Sequence, residues 1–536
     1  MNGFVLLVVC MIIFLAAYFV YGKWLAKVWG LNPEKIPPSV AMFDNIDYVP
    51  TTPVVLTGHH FSSIAGAGPI VGPITAAVFG WVPVVLWVVI GCIFFGSPHD
   101  FGSLFASIRN KGQSIGAIIS ETIGKRGKFL FAVFAYICLL IVIAAFANIV
   151  AATFVASPQS ATSSLLFIAL AVVFGLAVYR LQVSLAISTV IGVALMLAAI
   201  YAGHVFPLVL SKSAWIVILM VYVVIASVAP VWVLLQPRDY LNSFLLYACI
   251  IFAFLGILIY QPVLQLPAFT SFDPSPNGKN PLFPMLFVTV ACGAISGFHA
   301  LVASGTTSKQ LANEAHALPV GYGSMLIEGV LAIIAVVAVG YVGSDKLIDL
   351  LKHGGPVNVF ADGIGTFMTK LGFEFSVGKN FIALSISAFA MTTLDTSTRL
   401  ARFILQEIVT PEGMTPAESK NPLSNMFVAT IVTVLLASYM SFGSYLTIWP
   451  IFGVANQLLA ALSLLAISVW LKKSKLSHKM LLFPMIFMFA VCLVSLGEII
   501  MLNLSLNIIT ASLGILLMIL TVALIFEARG SLQKQA

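Results

Sequence analysis

Long apolar stretches recur along the whole chain, and they constrain its fold more than any other feature. A membrane-spanning helix needs about 17 or more consecutive apolar residues, and about fifteen stretches of the sequence meet that length. They lie near residues 4–21, 53–79, 80–96, 128–156, 163–180, 184–204, 214–234, 240–262, 283–305, 324–343, 378–395, 425–441, 450–471, 480–500 and 504–526. The pattern predicts an all-α polytopic membrane protein whose first stretch is a retained helix rather than a cleaved leader.

Composition excludes the soluble classes of protein. Of 536 residues, 60% are hydrophobic and only 8% are charged, and the mean hydropathy is +1.07. A soluble domain has about a quarter of its residues charged, so most of this surface must face lipid. The net charge of +7 does not indicate nucleic-acid binding, because the basic residues form short clusters between apolar stretches.

These basic clusters also predict the orientation of the chain in a bacterial inner membrane. They include 23–35, 109–128, 399–420 and 472–479, whereas the connections at 157–162 and 501–503 carry no charge. Lys and Arg are enriched in cytoplasmic loops. We therefore expect the N-terminus outside and the C-terminus in the cytoplasm.

Motifs of enzymes and of metal sites are missing from the sequence. The six cysteines lie inside apolar stretches without a C-x-x-C pair, which predicts neither disulfides nor a bound metal. No P-loop, G-x-S-x-G or H-E-x-x-H motif is present. We expect no cofactor and no enzymatic activity, and transport would draw its energy from an ion gradient.

A short motif, G-x-H-x5-G, occurs in two apolar stretches that the charge pattern orients in opposite directions. It comprises Gly58, His60 and Gly66 in the second stretch and Gly297, His299 and Gly305 in the ninth. Glycine-interrupted helices in corresponding positions are typical of inverted-repeat transporters.

The stretches between and around the two motifs fit such a plan. They predict one transporter domain over residues 1–536 with a LeuT-like 5+5 inverted repeat. The first repeat covers about 53–204 and the second about 283–471, with extra helices at about 4–21, 214–262 and 480–526.

Longer motifs resemble the carbon starvation A (CstA) family. They are GHHFSSIAGAGPIVGP at 58–73, PVWVLLQPRDY at 230–240, ACGAISGFHALVASGTTSKQ at 291–310, YGSMLIE at 322–328, DTSTRLARF at 395–403 and WPIFGVANQLLAA at 449–461. The resemblance implies an inner-membrane carrier used when carbon is scarce, with peptides or pyruvate as substrates and proton symport as the coupling. The chain departs from the family pattern at Ala67, at Gly96–Asp100 and in the DTSTR run. These departures bear on which substrate it prefers.

Three histidines are the first candidates for the transport site. An imidazole can carry a proton near neutral pH and can hydrogen-bond a carboxylate, and a polar group inside a membrane is costly unless it is used. His59, His60 and His299 are therefore candidate substrate-binding residues, with His60 also carrying the coupling proton. The alternative is that they hold unwound backbone in place.

Small polar residues flank the same glycines and are further candidates for substrate binding, although they could equally serve close helix packing. They are Ser62, Ser63, Gly66, Ser304, Thr306 and Thr307.

Two acids are candidates for proton coupling. Glu328 lies one turn into the tenth stretch, and Asp395 precedes Arg399 by four residues, so a helical ion pair is the alternative function for Asp395.

Other polar residues within the stretches are given structural roles. We expect the adjacent pairs His99–Asp100 and Arg238–Asp239 to anchor membrane interfaces. Asn456 and Gln457 are expected to join helices by side-chain hydrogen bonds.

The sequence thus predicts a secondary carrier for pyruvate or a short peptide, with protons and the bilayer as its other partners. The alternatives are a passive channel, a nutrient-sensing membrane receptor and a carrier coupled to Na⁺.

Overall fold

The computed structural model describes residues 1–44, 48–230, 233–274, 280–411, 414, 416, 418–442 and 445–533, which are almost wholly helical. The α-helices are α1 (Gly3–Ala17), α2 (Lys23–Val28), α3 (Pro38–Ala41), α4 (Pro53–Ile64), α5 (Gly68–Ala76), α6 (Trp81–Gly91), α7 (Ser97–Arg109), α8 (Ile115–Thr122), α9 (Lys125–Ala156), α10 (Pro158–Gly175), α11 (Leu185–Val205), α12 (Lys212–Val228), α13 (Leu235–Tyr260), α14 (Leu282–Thr289), α15 (Gly297–Gly305), α16 (Ser324–Val342), α17 (Ser344–Lys352), α18 (Gly355–Met368), α19 (Phe375–Val409), α20 (Met426–Ser441), α21 (Tyr445–Lys473), α22 (Lys479–Asn503) and α23 (Ile508–Gln533). Four π-helical turns, Tyr18–Gly22, Cys92–Gly96, Leu176–Arg180 and Leu318–Gly323, continue or precede them, and short 3₁₀ turns lie at Ala77–Phe79, Thr307–Lys309, Glu314–His316, Thr369–Leu371 and Pro422–Ser424. The predicted all-α class is confirmed.

Eleven helices in the described residues are long and apolar enough to cross a membrane, and the bent pair α4 and α5 makes a twelfth. The predicted stretches near 214–234 and 425–441 correspond to the shorter helices α12 and α20, and the one near 283–305 to the separated α14 and α15. Fifteen crossings therefore remain a prediction. Positions 231 and 232 of one predicted stretch, and 443 and 444 in a predicted loop, lie outside the described residues.

The predicted end of the third stretch at residue 96 is wrong. Helix α6, the π-helical turn Cys92–Gly96 and α7 form one continuous helix, Trp81–Arg109. Pro98 looks like a stop signal in the sequence, but it follows the π-helical turn Cys92–Gly96 directly, where the helical hydrogen-bond pattern changes and a missing N–H can be accommodated. Single π turns inside helices are frequent at functional sites.

Helices α9, α16, α19 and α21 form the buried centre of the molecule, and α9 packs along α19. Outer helices such as α11 present large apolar side chains to the surroundings, with Val190 and Tyr201 each 71% exposed. An apolar exterior around an apolar interior is expected of a protein whose solvent is lipid.

The first break in the centre separates α4 from α5. Helix α4 ends at Ile64 and α5 begins at Gly68, and the two are bent by 45°. The prediction of a glycine-interrupted second stretch is confirmed.

The second break separates α14, which ends at Thr289, from α15, which begins at Gly297. Side chains of the continuous helix Trp81–Arg109 cover the unwound segment. Trp87 Nε1 donates to the carbonyl of Val290 at 3.3 Å, and Cys92 Sγ donates to that of Gly293 at 3.1 Å. Such partners are required because lipid offers none to freed backbone groups.

The two breaks lie against each other. A Cβ atom added to Gly72 would lie 2.8 Å from the carbonyl oxygen of Thr289 and 3.2 Å from the Cα of Val290. A Cβ atom on Gly68 would lie 2.6 Å from Cys292 Sγ. Glycine is therefore required in α5 so that it can approach the unwound segment of the other span.

The shared G-x-H-x5-G motif does not occupy equivalent positions at the two breaks. His60 lies in α4, before the first break, whereas His299 lies in α15, after the second. The pairing of His60 with His299 as repeat equivalents is therefore wrong, because a repeat preserves the order of helix and break along the chain. The 5+5 repeat itself stays a prediction.

Helix α21 fixes the start of α15. The Asn456 side-chain oxygen accepts the backbone N–H of Phe298 at 3.0 Å, and its Nδ2 donates to Ser296 Oγ at 3.0 Å. The neighbouring Gln457 donates to the carbonyl of Phe287 at 2.6 Å. The prediction that these two amides join helices is confirmed.

An ion pair between a partly exposed arginine and a buried glutamate joins α7 to the segment that leads into α16. Arg109 Nε donates to Glu314 Oε2 at 2.8 Å, and Nη2 donates to Oε1 at 2.6 Å. Arg109 also donates to the carbonyl of Gly30, and Glu314 accepts the N–H of Asn32. Because Glu314 is only 1% exposed, this two-point contact is protected from water.

We expect Gly72→Ala to destabilise the protein by about 1–3 kcal/mol, because the new methyl group meets backbone atoms that cannot move away. Gly305→Ala is the matched control, since a Cβ atom there has nothing within 4 Å. Gly305 is the last residue of α15, so its gain in helix propensity does not exceed that at Gly72 inside α5. A lower melting temperature of Gly72→Ala in detergent therefore reports the clash. Equal melting temperatures would contradict the close approach of the two breaks.

Asn456→Ala should destabilise the protein by about 1–3 kcal/mol, because it leaves the buried N–H of Phe298 without its acceptor. Ser463→Ala on the same helix is the control, since that hydroxyl only donates to the carbonyl of Leu459. Thermal unfolding of the two purified variants is the measurement. A loss as large for Ser463→Ala would argue against a specific role of Asn456.

Candidate functional site

Four side chains from three helices form a fully buried group beside the second break, here called the imidazole cluster. They are His99 and Asp100 on α7, His299 on α15 and Glu328 on α16, each 0% exposed. The Asp100 carboxyl oxygens lie 2.7 Å from His99 Nδ1 and 2.8 Å from His299 Nδ1. His299 Nε2 lies 3.4 Å from Glu328 Oε2. His299 is thus flanked by two acids.

These contacts restrict where protons can lie in the imidazole cluster. When Asp100 is ionised, its carboxylate only accepts hydrogen bonds, and both facing Nδ1 atoms then donate to it. His299 Nε2 and Glu328 face each other across one proton: with the proton on Glu328 the pair is neutral, and with the proton on Nε2 it is an imidazolium and a carboxylate. Proton transfer between them therefore changes the charge of two groups at once.

The polar atoms of this group are not saturated by the protein. Among the described residues, both carboxyl oxygens of Glu328 and the Nε2 atoms of His99 and His299 have no hydrogen-bond partner. Buried polar atoms of this kind are uncommon and call for a proton, a water molecule or a substrate.

The other two predicted histidines lie in α4. His60 is fully buried, and its Nδ1 lies 2.8 Å from Thr307 Oγ1, so this pair joins α4 to the turn after α15. His59 is half-buried and follows Gly58, which contacts Tyr247 on α13. The structure therefore places His59 and His60 near different neighbours.

Most of the predicted small polar residues hydrogen-bond within their own helices. Ser62 and Ser63 both donate to the carbonyl of His59, at 3.0 and 2.8 Å. Thr306 donates to the carbonyl of Val302 at 3.0 Å.

Ser304 and Gly66 have partners on other elements. Ser304 Oγ accepts the backbone N–H of Ile115 at 3.2 Å, at the start of α8. Gly66 lies in the first break, where an added Cβ atom would contact the hydroxyl of Thr393 on α19.

A second buried group, here called the arginine cluster, joins α12, α13 and α19. Arg238 Nη1 pairs with Asp395 Oδ2, and Arg238 Nη2 lies 3.0 Å from Asp239 Oδ1. Tyr222 donates to the same Asp395 oxygen at 2.6 Å, and Thr392 donates to Asp239 at 3.2 Å. Arg238 is 2% exposed, Asp239 8% and Asp395 0%.

This geometry corrects three sequence-based interpretations. Asp395 pairs with Arg238 rather than with Arg399, which donates instead to two backbone carbonyls of α12 and its end. The pairs His99–Asp100 and Arg238–Asp239 are buried inside the protein and do not anchor its interfaces. In each case the true partner is distant in sequence, so helical spacing could not reveal it.

Asp100 and Arg238 were missed as site residues for that reason. The sequence does carry a signal for Asp100, because the amphipathic run FGSLFASI continues past it and extends the helix. Arg238 carries a weaker signal, an arginine inside a long apolar region that holds few other charges. Among the described residues, no three His, Cys, Asp or Glu side chains are arranged to hold a metal ion.

Comparison with solved structures establishes the fold. The chain is similar to the manganese transporter of Eremococcus coleocola, with a TM-score of 0.54 and 12% sequence identity, covering 91% of this chain and 99% of that one. It is also similar to MhsT bound to L-phenylalanine, with a TM-score of 0.52 and 13% identity over 85% of this chain and 99% of that one. The predicted LeuT-like transporter fold is confirmed.

Comparison of sequences establishes the family. The model for the carbon starvation protein CstA matches residues 2–352 and 345–495. The peptide transporter CstA of Escherichia coli is 33% identical, over 88% of this chain and 76% of that protein, and the Campylobacter jejuni protein of the same name is equally similar. The pyruvate/proton symporter BtsT of Escherichia coli is 32% identical, over 86% of this chain and 76% of that protein. The chain therefore belongs to the carbon starvation protein CstA family, and it is a membrane transporter rather than an enzyme.

Proposed function

We propose that the chain is a secondary active transporter that takes up pyruvate or short peptides together with protons, by alternating access. The observation that carries the proposal is the crossing of two broken helices at their breaks, beside a buried group of titratable side chains. Broken helices near the middle of a bundle expose backbone groups to a substrate and allow the two halves of a carrier to rock around it.

The substrate classes follow from the relatives, which are named peptide transporters and a pyruvate/proton symporter. Pyruvate and peptides share a carboxylate group. Unwound helix ends with unpaired N–H groups, together with basic side chains, are suited to bind such an anion.

Proton coupling rests on the buried titratable residues. Glu328 has no hydrogen-bond partner among the described residues and lies against His299, so it is suited to accept and release a proton. His60 and Asp395 are the other proposed coupling residues. Asp100 joins them, because its carboxyl group holds two imidazoles in place.

The proposed setting is the bacterial inner membrane, with the N-terminus outside and the C-terminus in the cytoplasm. Arg109 and the basic residues of 472–479 then lie on the cytoplasmic side, as the positive-inside rule requires.

The purified protein in proteoliposomes should accumulate labelled pyruvate or a di- or tripeptide when an inward proton gradient is imposed. One coupled proton corresponds to about tenfold accumulation for each pH unit of gradient, since a factor of ten is about 1.4 kcal/mol. A proton ionophore should abolish accumulation, and empty liposomes are the control. Flux that does not saturate with substrate would indicate a channel. Accumulation that requires a Na⁺ gradient would show that Na⁺ is the coupling ion. No uptake of any substrate would favour a receptor.

We expect Glu328→Gln and His60→Ala to lose gradient-driven accumulation, because neither replacement can exchange a proton at neutral pH. Accumulation should fall by about tenfold for each pH unit of imposed gradient. His204→Ala, at the exposed end of α11, is the matched control and should accumulate as the wild type does. Full accumulation by either of the first two variants would remove that residue from the coupling mechanism.

A further inference from the structure

The arginine cluster contains more negative than positive charge. Arg238 contributes one positive charge, while Asp239 and Asp395 contribute two carboxylates. Burying an ion pair costs free energy that its own attraction often fails to recover. A buried group with one positive and two negative charges therefore contributes little to stability. When one of its acids takes up a proton, one positive and one negative charge remain.

The contacts of Arg238 are also incomplete. A guanidinium group can bind one carboxylate through two parallel hydrogen bonds, but Arg238 instead divides its two terminal nitrogens between Asp395 and Asp239. Among the described residues, Arg238 Nε and Asp395 Oδ1 have no hydrogen-bond partner. Asp395 therefore occupies Arg238 without using the full binding capacity of the guanidinium.

The surroundings of Arg238 fit a small carboxylate with an apolar end. A narrow recess beside it is lined by the polar side chains of Ser164 and Asn242 and by apolar side chains including Phe167 and Met391. In the present state the recess has room for about one water molecule. A substrate could enter only after Asp395 has released Arg238 and the helices have separated.

Helix α13, which carries Arg238, also packs on the first broken helix. The Tyr247 hydroxyl of α13 lies so close to Gly58 of α4 that a Cβ atom on Gly58 would overlap it. Movement of α4 would therefore shift the helix that carries Arg238.

We propose that Arg238 binds the carboxylate of the transported anion, and that Asp395 occupies Arg238 in its place until Asp395 takes up the coupling proton. This inference rests on the proposed function and names its anion-binding residue. The proton adds to the Asp395 carboxylate, the Arg238–Asp395 ion pair breaks, and the substrate carboxylate pairs with Arg238.

The net charge of the cluster is the same before and after this exchange. It is one positive and two negative charges with Asp395 ionised, and again with Asp395 protonated and a substrate carboxylate bound. One proton and one anion enter together, so a one-to-one symport follows from the cluster itself.

Asp395, rather than Asp239, is the acid that exchanges. Asp239 follows Arg238 directly in α13 and moves with it. Asp395 belongs to α19, so a shift between the two helices separates it from Arg238. The other titratable or charged groups that face the pair are Tyr222 on α12, His59 on α4 and Arg399 one turn further along α19.

The test compares two transport modes in proteoliposomes. Asp395→Asn mimics a permanently protonated carboxyl group, so pyruvate exchange between the two sides should continue within a few-fold of the wild type. Gradient-driven accumulation should disappear, a loss of about tenfold for each pH unit of gradient, and pyruvate binding should no longer depend on pH. Asp362→Asn is the matched control, because Asp362 is another buried acid in an ion pair, with Lys346, away from both clusters.

A second variant separates binding from folding. Arg238→Met combined with Asp239→Asn and Asp395→Leu removes all three charges, and replacing a whole buried ionic group by uncharged residues often preserves the fold. We expect this triple variant to purify and melt like the wild type but to bind neither pyruvate nor a dipeptide. Methyl pyruvate and the C-terminal amide of the dipeptide, which lack the carboxylate, should not compete for uptake by the wild type.

Three results would overturn the inference while leaving the proposed function intact. They are accumulation by Asp395→Asn at the wild-type level, transport by the triple variant, and competition by the uncharged ligands as strong as that by their parent acids. If the wild type itself transports none of the substrates under a proton gradient, the proposed function fails and this inference fails with it.

Discussion

Backbone groups that are freed inside a bilayer must find partners within the protein, and the central architecture of this transporter depends on meeting that requirement. The unwound segment after α14 obtains its partners from Trp87 and Cys92, while Asn456 accepts the Phe298 N–H in the first turn of α15. These side chains come from the third and thirteenth predicted stretches. Two remote parts of the chain therefore keep the break open, and the glycines of α5 allow the other broken span to lie directly against it.

Two kinds of buried charge surround this crossing, and they differ in what can change. In the imidazole cluster, the bases that face Asp100 and Glu328 are histidines, whose side chains can exist with or without a positive charge. In the arginine cluster, the base is a guanidinium that stays charged, so only its anionic partners can be exchanged. A carrier that moves a proton with an anion requires both properties, and here they are located on different helices.

The sequence predicted much of the fold because hydrophobicity alone reports which segments enter lipid, and glycine clusters within them report the broken span of α4 and α5. It failed where distant residues decide the outcome. The third stretch was ended at residue 96 because Pro98, His99 and Asp100 look like a membrane border. Asp100 instead pairs with His299 of α15 inside the protein. The partner of Asp395 was sought four residues away, whereas Arg238 lies 157 positions earlier in the chain. His60, Glu328 and Asp395 were all selected as polar groups in apolar stretches, and that reasoning cannot tell which neighbours each one meets.

The ion pair of Arg109 with Glu314 has a consequence for how such a carrier can move. Asp100 and Arg109 belong to α7, while Glu314 leads through the π-helical turn Leu318–Gly323 into α16 and Glu328. Arg109 and Glu314 form two hydrogen bonds at one end, and His299 contacts both Asp100 and Glu328 further along. These contacts make α7 and α16 move as one rigid body. His299 belongs to α15, so the imidazole cluster keeps its internal distances only while α7, α15 and α16 move together. Of the two broken spans, the one formed by α4 and α5 carries no member of the cluster, so its movement need not disturb the buried acids and histidines.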